Sequence, residues 1–149
     1  MEAITLRSSA FNDHAMIPAE YSHQDGDTSP PLEWSDVPEG IAELVLICED
    51  PDAPSGTFTH WLLAAIPADD GGLDAKEEPT GAVRGRNDYG KSGYGGPHPP
   101  IGETHRYFFR LYGLSEPSGL ADGFSADDLR AKIKDKAVAS GTLVGTFGR

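Results

Sequence analysis

The chain reads as a mostly β protein, a Greek-key-like β-sandwich with one or two short peripheral helices. Three observations lead there. Eighteen glycines and twelve prolines make up about a fifth of the 149 residues, against a usual combined share of ~12%. They separate short apolar runs that have the length and alternation of strands. Only one segment carries helical spacing. One helix among about seven strands indicates a sandwich. The length fits a single domain, residues 1–149, large enough to build a core without disulfide or metal staples.

Taken in order, Ala3–Arg7 reads as a short first strand. Residues 8–31 are irregular, broken by Pro18, Gly26, Pro30 and Pro31. Leu32–Ser35 is a short extended piece around Trp34, and Asp36–Gly40 is a turn. Glu43–Asp50 is the clearest strand, apolar through its middle as expected when both faces are covered. Pro51 and Pro54 end it, since proline donates nothing to a ladder. Thr57–Ile66 is the next strand, and Ala68–Gly81 a polar loop. Residues 85–102 hold six glycines and three prolines and read as ordered loop. His105–Leu114 alternates as a strong strand. Ser125 reads as a helix N-cap with Asp128 three residues on, and Leu129, Ile133 and Ala137 recur at helical spacing. Gly141 is expected to stop that helix before a last strand, Thr142–Phe147.

Charge narrows the function classes. Twelve basic against 24 acidic residues give a net charge of −12. Nucleic acid and anionic membranes are bound through Lys/Arg clusters, and no basic run exists here. The dispersed acids and scarce lysines read as a solvated surface that suits a salt-rich, halophilic cytoplasm. Met1–Glu20 has neither a basic n-region nor an apolar h-region, and no apolar run is long enough to span a membrane. A cytoplasmic protein without integral membrane contact is expected. The single cysteine, Cys48, excludes an internal disulfide and sits in an apolar run, where a buried thiol is expected.

Gly85–Ser92 fits the phosphate-loop pattern GxxxxGK[ST]. That mechanism needs a helix starting at the lysine, whose first amides hold the phosphate. Here Gly93, Gly95, Gly96, Pro97, Pro99 and Pro100 follow instead, so no helix starts and nucleotide hydrolysis is excluded.

The chemistry lies elsewhere. With period-two alternation, Asp50 ends the face that carries Leu44, Leu46 and Cys48. His60 shares a face with Phe58, Leu62, Ala64 and Ile66, and His105 with Tyr107, Phe109 and Leu111. One histidine on an apolar face is commonly a hydrogen-bonded core residue, and Asp50 and Asp52 around Pro51 are ordinary turn formers. Three strands that each bring a polar group to a core-like face, next to a glycine-rich loop, point to a pocket. The carboxylate would favour protonated imidazoles, and these, beside the amides of Gly93, Gly95 and Gly96, would make an anion site.

These residues also carry a resemblance. Asp50-Pro51-Asp52-Ala53-Pro54, Phe58 with His60-Trp61, Asn87-Asp88-Tyr89-Gly90, Gly93 through Pro100, and His105-Arg106-Tyr107 with Leu111-Tyr112 are similar to the phosphatidylethanolamine-binding protein family. Within it the chain resembles the short prokaryotic branch often called Raf kinase inhibitor-like proteins. Ile17-Pro18 with Tyr21, and Ser29 to Leu32 with Trp34, match in colinear order. The resemblance implies a β-sandwich with a small anion pocket at one end. Its ligand residues would be Asp50, His60 and His105, with Tyr107, Pro99 and Pro100 at the rim and Asp52 and Trp61 shaping the wall. It also implies Gly96 in the pocket loop and a cis peptide before Pro54. His98 stands where a small residue is expected, and the chain reaches Arg149 without the C-terminal helix of longer eukaryotic relatives, which would leave the pocket more open.

The function expected is therefore that of a binding module, without cofactor or chemistry of its own. It would take a small phosphorylated ligand or a phosphorylated protein segment and act as a regulator of the kinase- or protease-inhibitor kind. A homodimer is compatible with this. Two alternatives stand beside it. One is a small hydrolase in which His60 and Asp50 activate water, although no GxSxG nucleophile exists. The other is a metal site built from His60, His98, His105 and Asp50.

Overall fold

A computed structural model describes residues Met1–Arg149. The strands are β1 (Glu2–Ala3), β2 (Thr5–Arg7), β3 (Leu32–Ser35), β4 (Glu43–Asp50), β5 (Phe58–Ile66), β6 (Gly71–Leu73), β7 (Val83–Arg84), β8 (Thr104–Leu114) and β9 (Ala137–Gly148). One α-helix, α1 (Ala126–Lys136), precedes β9, and a single 3-10 turn spans Ala19–Tyr21. The strands form a six-stranded sheet in the order β1-β9-β8-β4-β5-β7 and a three-stranded sheet in the order β2-β3-β6. The fold is the mostly β sandwich expected.

The first expected strand is divided between the sheets. Glu2–Ala3 pairs parallel with β9, and Thr5–Arg7 pairs antiparallel with β3. Ile4 is the crossing point and buries its side chain in the core. The loop at 68–81 is not wholly irregular, because Gly71–Leu73 pairs with β3.

The large sheet is covered on both faces. Toward the small sheet, Leu44, Leu46 and Cys48 of β4 and Tyr107, Phe109 and Leu111 of β8 pack with Leu6, Leu32 and Trp34. On the other face, Val45 and Ile47 of β4 pack with Leu62, Ala64, Phe124 and Leu129 beneath α1. This explains the unbroken apolar run of β4, whose alternate residues enter two different cores.

The alternation expected for β5 does not hold along its length. Cys48 pairs with Trp61 while Glu49 pairs with Thr59, so His60 is the extra residue of a bulge. A second irregularity lies between Leu44, paired with Ile66, and Leu46, paired with Leu63. Ala65 there takes φ 57°. Each extra residue reverses the facing of the strand beyond it. Trp61, Leu63 and Ile66 therefore enter the sandwich core, and Leu62 and Ala64 face α1. The buried Glu43 holds the second bulge. Its carboxylate accepts the Ala65 N–H at 2.7 Å and the Ser118 N–H and hydroxyl at 2.8 Å each.

Helix α1 starts as expected, with Ser125 and Asp128 forming a reciprocal capping box. It ends earlier than expected, at Lys136. Ala137 turns directly into β9, which pairs with β8 from Leu114↔Ala137 to Thr104↔Gly148. The ladder competes successfully with helix propensity, which is a weak preference. Gly141 lies inside β9, where a Cβ would collide with the Ile4 carbonyl. It permits close backbone approach and stops no helix. The segment Gly85–Ser92 closes on itself through Asn87 N–H to the Lys91 carbonyl at 2.8 Å, and no helix follows. Every peptide bond is trans, including that before Pro54. The turn after β4 is closed instead by Asp52 N–H to Asp50 Oδ1 at 2.7 Å and Gly56 N–H to the Ala53 carbonyl at 3.1 Å.

Candidate functional site

Strands β8, β4 and β5 are neighbours and antiparallel. The end of β4 and the starts of β5 and β8 therefore meet at one end of the sandwich. That places Asp50, His60 and His105 together. They line a cavity of about 230 Å³, with His98, Pro99 and Pro100 on the loop side. Phe58 and Tyr89 supply its aromatic wall, and Ala53 and Pro54 its turn.

The two histidines differ. His105 is held between carboxylates, Nδ1 at 2.6 Å from Asp50 Oδ2 and Nε2 at 2.7 Å from Glu103 Oε1. Burial disfavours its charge, but the bonds to Glu103 and Asp50 outweigh burial and raise its pKa above the ordinary value. His60 has no carboxylate partner. Its Nδ1–H donates to the Gly95 carbonyl at 2.7 Å, because a carbonyl only accepts. Its Nε2 is left without a protein partner beside the cavity. Burial lowers its pKa, with the Gly95 carbonyl opposing, so the ring is neutral at pH 7. The bulge in β5 is what turns His60 and Trp61 toward this side together.

The aromatic wall continues outward. Phe58 lies 4.8 Å from both His60 and Tyr89, ring centre to ring centre. His23 stacks on Tyr89 at 4.4 Å and meets the edge of His98 at 5.3 Å. His98 is exposed at the rim, and burial, then Arg149 and His23, lower its pKa. Arg149 fastens the same loop by donating to the Pro99 carbonyl at 2.7 Å.

Other residues singled out from the sequence lie outside the cavity lining. Tyr107 is buried behind His60, 5.2 Å between ring centres, and its hydroxyl has no hydrogen-bond partner. Asp52 grips Arg106 with both oxygens, at 2.9 and 2.7 Å, and accepts its backbone N–H at 2.9 Å. The hydrogen bond from Arg106 lowers the Asp52 pKa to about 2. This pair ties the turn after β4 to the start of β8. Trp61 is wholly buried in the core, edge-on to Tyr94 at 5.3 Å.

The loop amides expected to hold an anion are already engaged. Gly95 N–H donates to the His60 carbonyl at 2.9 Å, Gly96 N–H to Asp27 Oδ1 at 2.6 Å, and Gly93 N–H to the Gly85 carbonyl at 3.3 Å. Gly96 is a packing residue, and a Cβ there would come within 2.8 Å of the His23 backbone nitrogen. A glycine run shows that amides are accessible sterically, but not that they stay unpaired.

The alternative chemistries meet specific obstacles. Asp50 orients His105 and not His60, so no carboxylate–imidazole pair activates water at His60. Cys48 is buried and its thiol pKa is pushed well up by burial. No three His, Cys, Asp or Glu side chains come together in a metal-holding group. Several residues of the site are not evident from sequence reasoning. Glu103 precedes His105 by two residues, the spacing that shares a strand face, and this signal is present in the sequence. His23 and Asp27 lie 3.6 Å apart, four residues from each other, but the contacts that tie them to the site, with Tyr89 and Gly96, span about 70 residues of sequence and leave no local signal.

The family model described as phosphatidylethanolamine-binding protein matches residues 7–148. A UPF0098 protein of Methanothermobacter thermautotrophicus is 43% identical over 151 residues, covering 98% of this chain and 99% of the relative. Among solved structures, CT736 of Chlamydia trachomatis, a phosphatidylethanolamine-binding protein homologue, superposes with a TM-score of 0.92 at 34% identity, covering 100% of this chain and 99% of the other. YbcL of Escherichia coli superposes with a TM-score of 0.92 at 28% identity, covering 98% of each chain. The sandwich, the cavity at its end and these likenesses agree: the chain belongs to the phosphatidylethanolamine-binding protein family.

Proposed function

We propose that this protein binds small ligands through a phosphate group, carried by a free molecule or by a phosphorylated protein segment, and that it acts as a regulator without chemistry of its own. A role of the kinase- or protease-inhibitor kind and a cytoplasmic setting belong to the same reading. No helix is long and apolar enough to cross a membrane.

One observation carries the proposal. His60 is fixed through Nδ1, makes no protein hydrogen bond through Nε2, and lines a partly open cavity with Phe58 and Tyr89 on its wall. The ring is neutral before binding because burial depresses its pKa. An oxyanion next to Nε2 favours the protonated ring, so binding takes up a proton and tightens as pH falls. Tyr107 stands behind His60, outside the cavity lining, and its ring packs edge-on against the imidazole at 5.2 Å, which holds the ring in place.

The test is an NMR titration of the five histidines with O-phosphoethanolamine and, separately, O-phosphotyrosine, near pH 6 and pH 8. Saturable shifts at His60 and His105, larger at the lower pH, are expected, with the His105 shift lost in His60→Ala. An unchanged His60 in both titrations overturns the proposal. The relative strength of the two ligands separates head-group from phosphopeptide recognition.

A further inference from the structure

We propose that Glu103 sets the ligand charge this cavity accepts: its carboxylate occupies His105 Nε2 as an internal counter-anion, and a phosphate group reaches that nitrogen only by displacing it. The proposal rests on the phosphate-binding reading above and specifies how that binding is controlled.

The geometry supports it step by step. Both ring nitrogens of His105 lie within 2.7 Å of a carboxylate oxygen. An ionised carboxylate only accepts, so each nitrogen carries a hydrogen and the ring is a cation. Neither N–H remains for a ligand. The two carboxylates are not equally held. Asp50 is 4% exposed in its side chain, and its other oxygen accepts the Asp52 N–H. The Glu103 side chain is 48% exposed, and its one hydrogen bond is that to His105. Its backbone is pinned, with N–H to the Pro100 carbonyl at 3.0 Å and its carbonyl accepting from Arg149 at 3.3 Å. The side chain can therefore swing into solvent while the cavity loop stays in place.

Charge explains the consequence. Asp50, Glu103 and the His105 cation sum to one negative charge, and His60 adds none. A phosphate group entering this cavity meets net negative charge, and like charges in contact are strongly disfavoured. Displacing Glu103 removes one carboxylate from contact and frees a charged donor for the incoming oxygen. A ligand without negative charge gains nothing from that displacement. Glu103 thus holds back weak anions and admits only those that bind His60 and His105 together.

The experiment measures binding of inorganic phosphate and O-phosphoethanolamine by calorimetry to the wild type, Glu103→Gln and Glu103→Ala. NMR follows the Glu103 carboxyl carbon and His105 Nε2 in the wild type. Inorganic phosphate should bind both variants about tenfold more tightly than the wild type. Ethanolamine, a cation without phosphate, should bind no more tightly to the variants. Phosphate should move the Glu103 and His105 signals of the wild type in parallel. Equal phosphate affinities with an unmoved Glu103 signal overturn this proposal, while loss of binding in His60→Ala would leave the phosphate-binding reading standing. Absence of phosphate binding in all three proteins overturns both. An unaltered His105 Nδ1 signal in each variant verifies that the bond to Asp50 survives.

Discussion

The Asp50 carboxylate and the His105 imidazole meet at 2.6 Å across the boundary between β4 and β8, each side chain 4% exposed. The pair joins the two central strands at the end where the cavity lies. Removing one partner of a buried ion pair leaves the other uncompensated. His105→Ala, which leaves the buried Asp50 carboxylate without its cation, should cost about 3 kcal/mol, checked by urea unfolding.

The same pair sets a pH dependence. The raised pKa of His105 means that the native state holds its proton more tightly than the unfolded chain. The stability it contributes is fully present below its ordinary pKa of 6.5 and is lost as pH rises through the raised value. The stability difference between the wild type and His105→Asn should be largest near pH 6 and shrink toward pH 9. Unfolding free energies across that range check it.

Asp52 has the opposite sign. Its bond to Arg106 lowers the pKa from 3.8 to about 2, so its contribution is present above 3.8 and is lost as pH falls through about 2. Both side chains of the pair are partly exposed, so the effect is modest. Asp52→Asn should begin acid unfolding at a higher pH than the wild type, measured by circular dichroism between about pH 2 and pH 5.

Glu43 acts at the other irregularity of β5. It is buried and accepts three hydrogen bonds, from Ala65 and twice from Ser118. Glu43→Ala leaves three donors without their acceptor and should cost about 3 kcal/mol. Hydrogen exchange should show the amides of Ala65 and Ser118 losing protection first.

Gly96 tests the cavity loop by packing alone. A Cβ there meets only backbone atoms of residues 21–23, each within 3 Å, so the loop or that segment must shift. Gly96→Ala should cost about 1–3 kcal/mol. It should also disturb the stacking of His23 on Tyr89, visible in the ring-current shifts of both.

The −12 charge carries a solution prediction. Self-repulsion is screened by salt. Thermal unfolding should move upward between dilute buffer and molar KCl; a downward shift would contradict the salt-rich setting expected from composition.

Much of this protein is written locally. Glu43–Asp50 is a strand because an eight-residue, mainly apolar run bounded by Pro51 leaves no room for a helix. The α1 start is legible because a capping box is a contact between residues three apart. The faces of β4 and β8 come from period two, which places Asp50 and His105 at one end. Colinear motifs extend that to the family.

Tertiary structure decided what those groups do to one another. The bulge at His60 carries no mark in a period-two pattern, yet it reverses the facing of Trp61 to Ala64, until the second irregularity at Ala65 reverses the strand again. Asp50 pairs with His105, 55 residues away, and leaves His60 neutral, so two imidazoles expected to act alike differ in charge. The amides of Gly95 and Gly96 are steric openings in the sequence and occupied donors in the fold. The physical reason is common to all three. Backbone periodicity is a property of neighbours in the chain, whereas proton affinity and hydrogen-bond pairing depend on which distant groups share a site with little water.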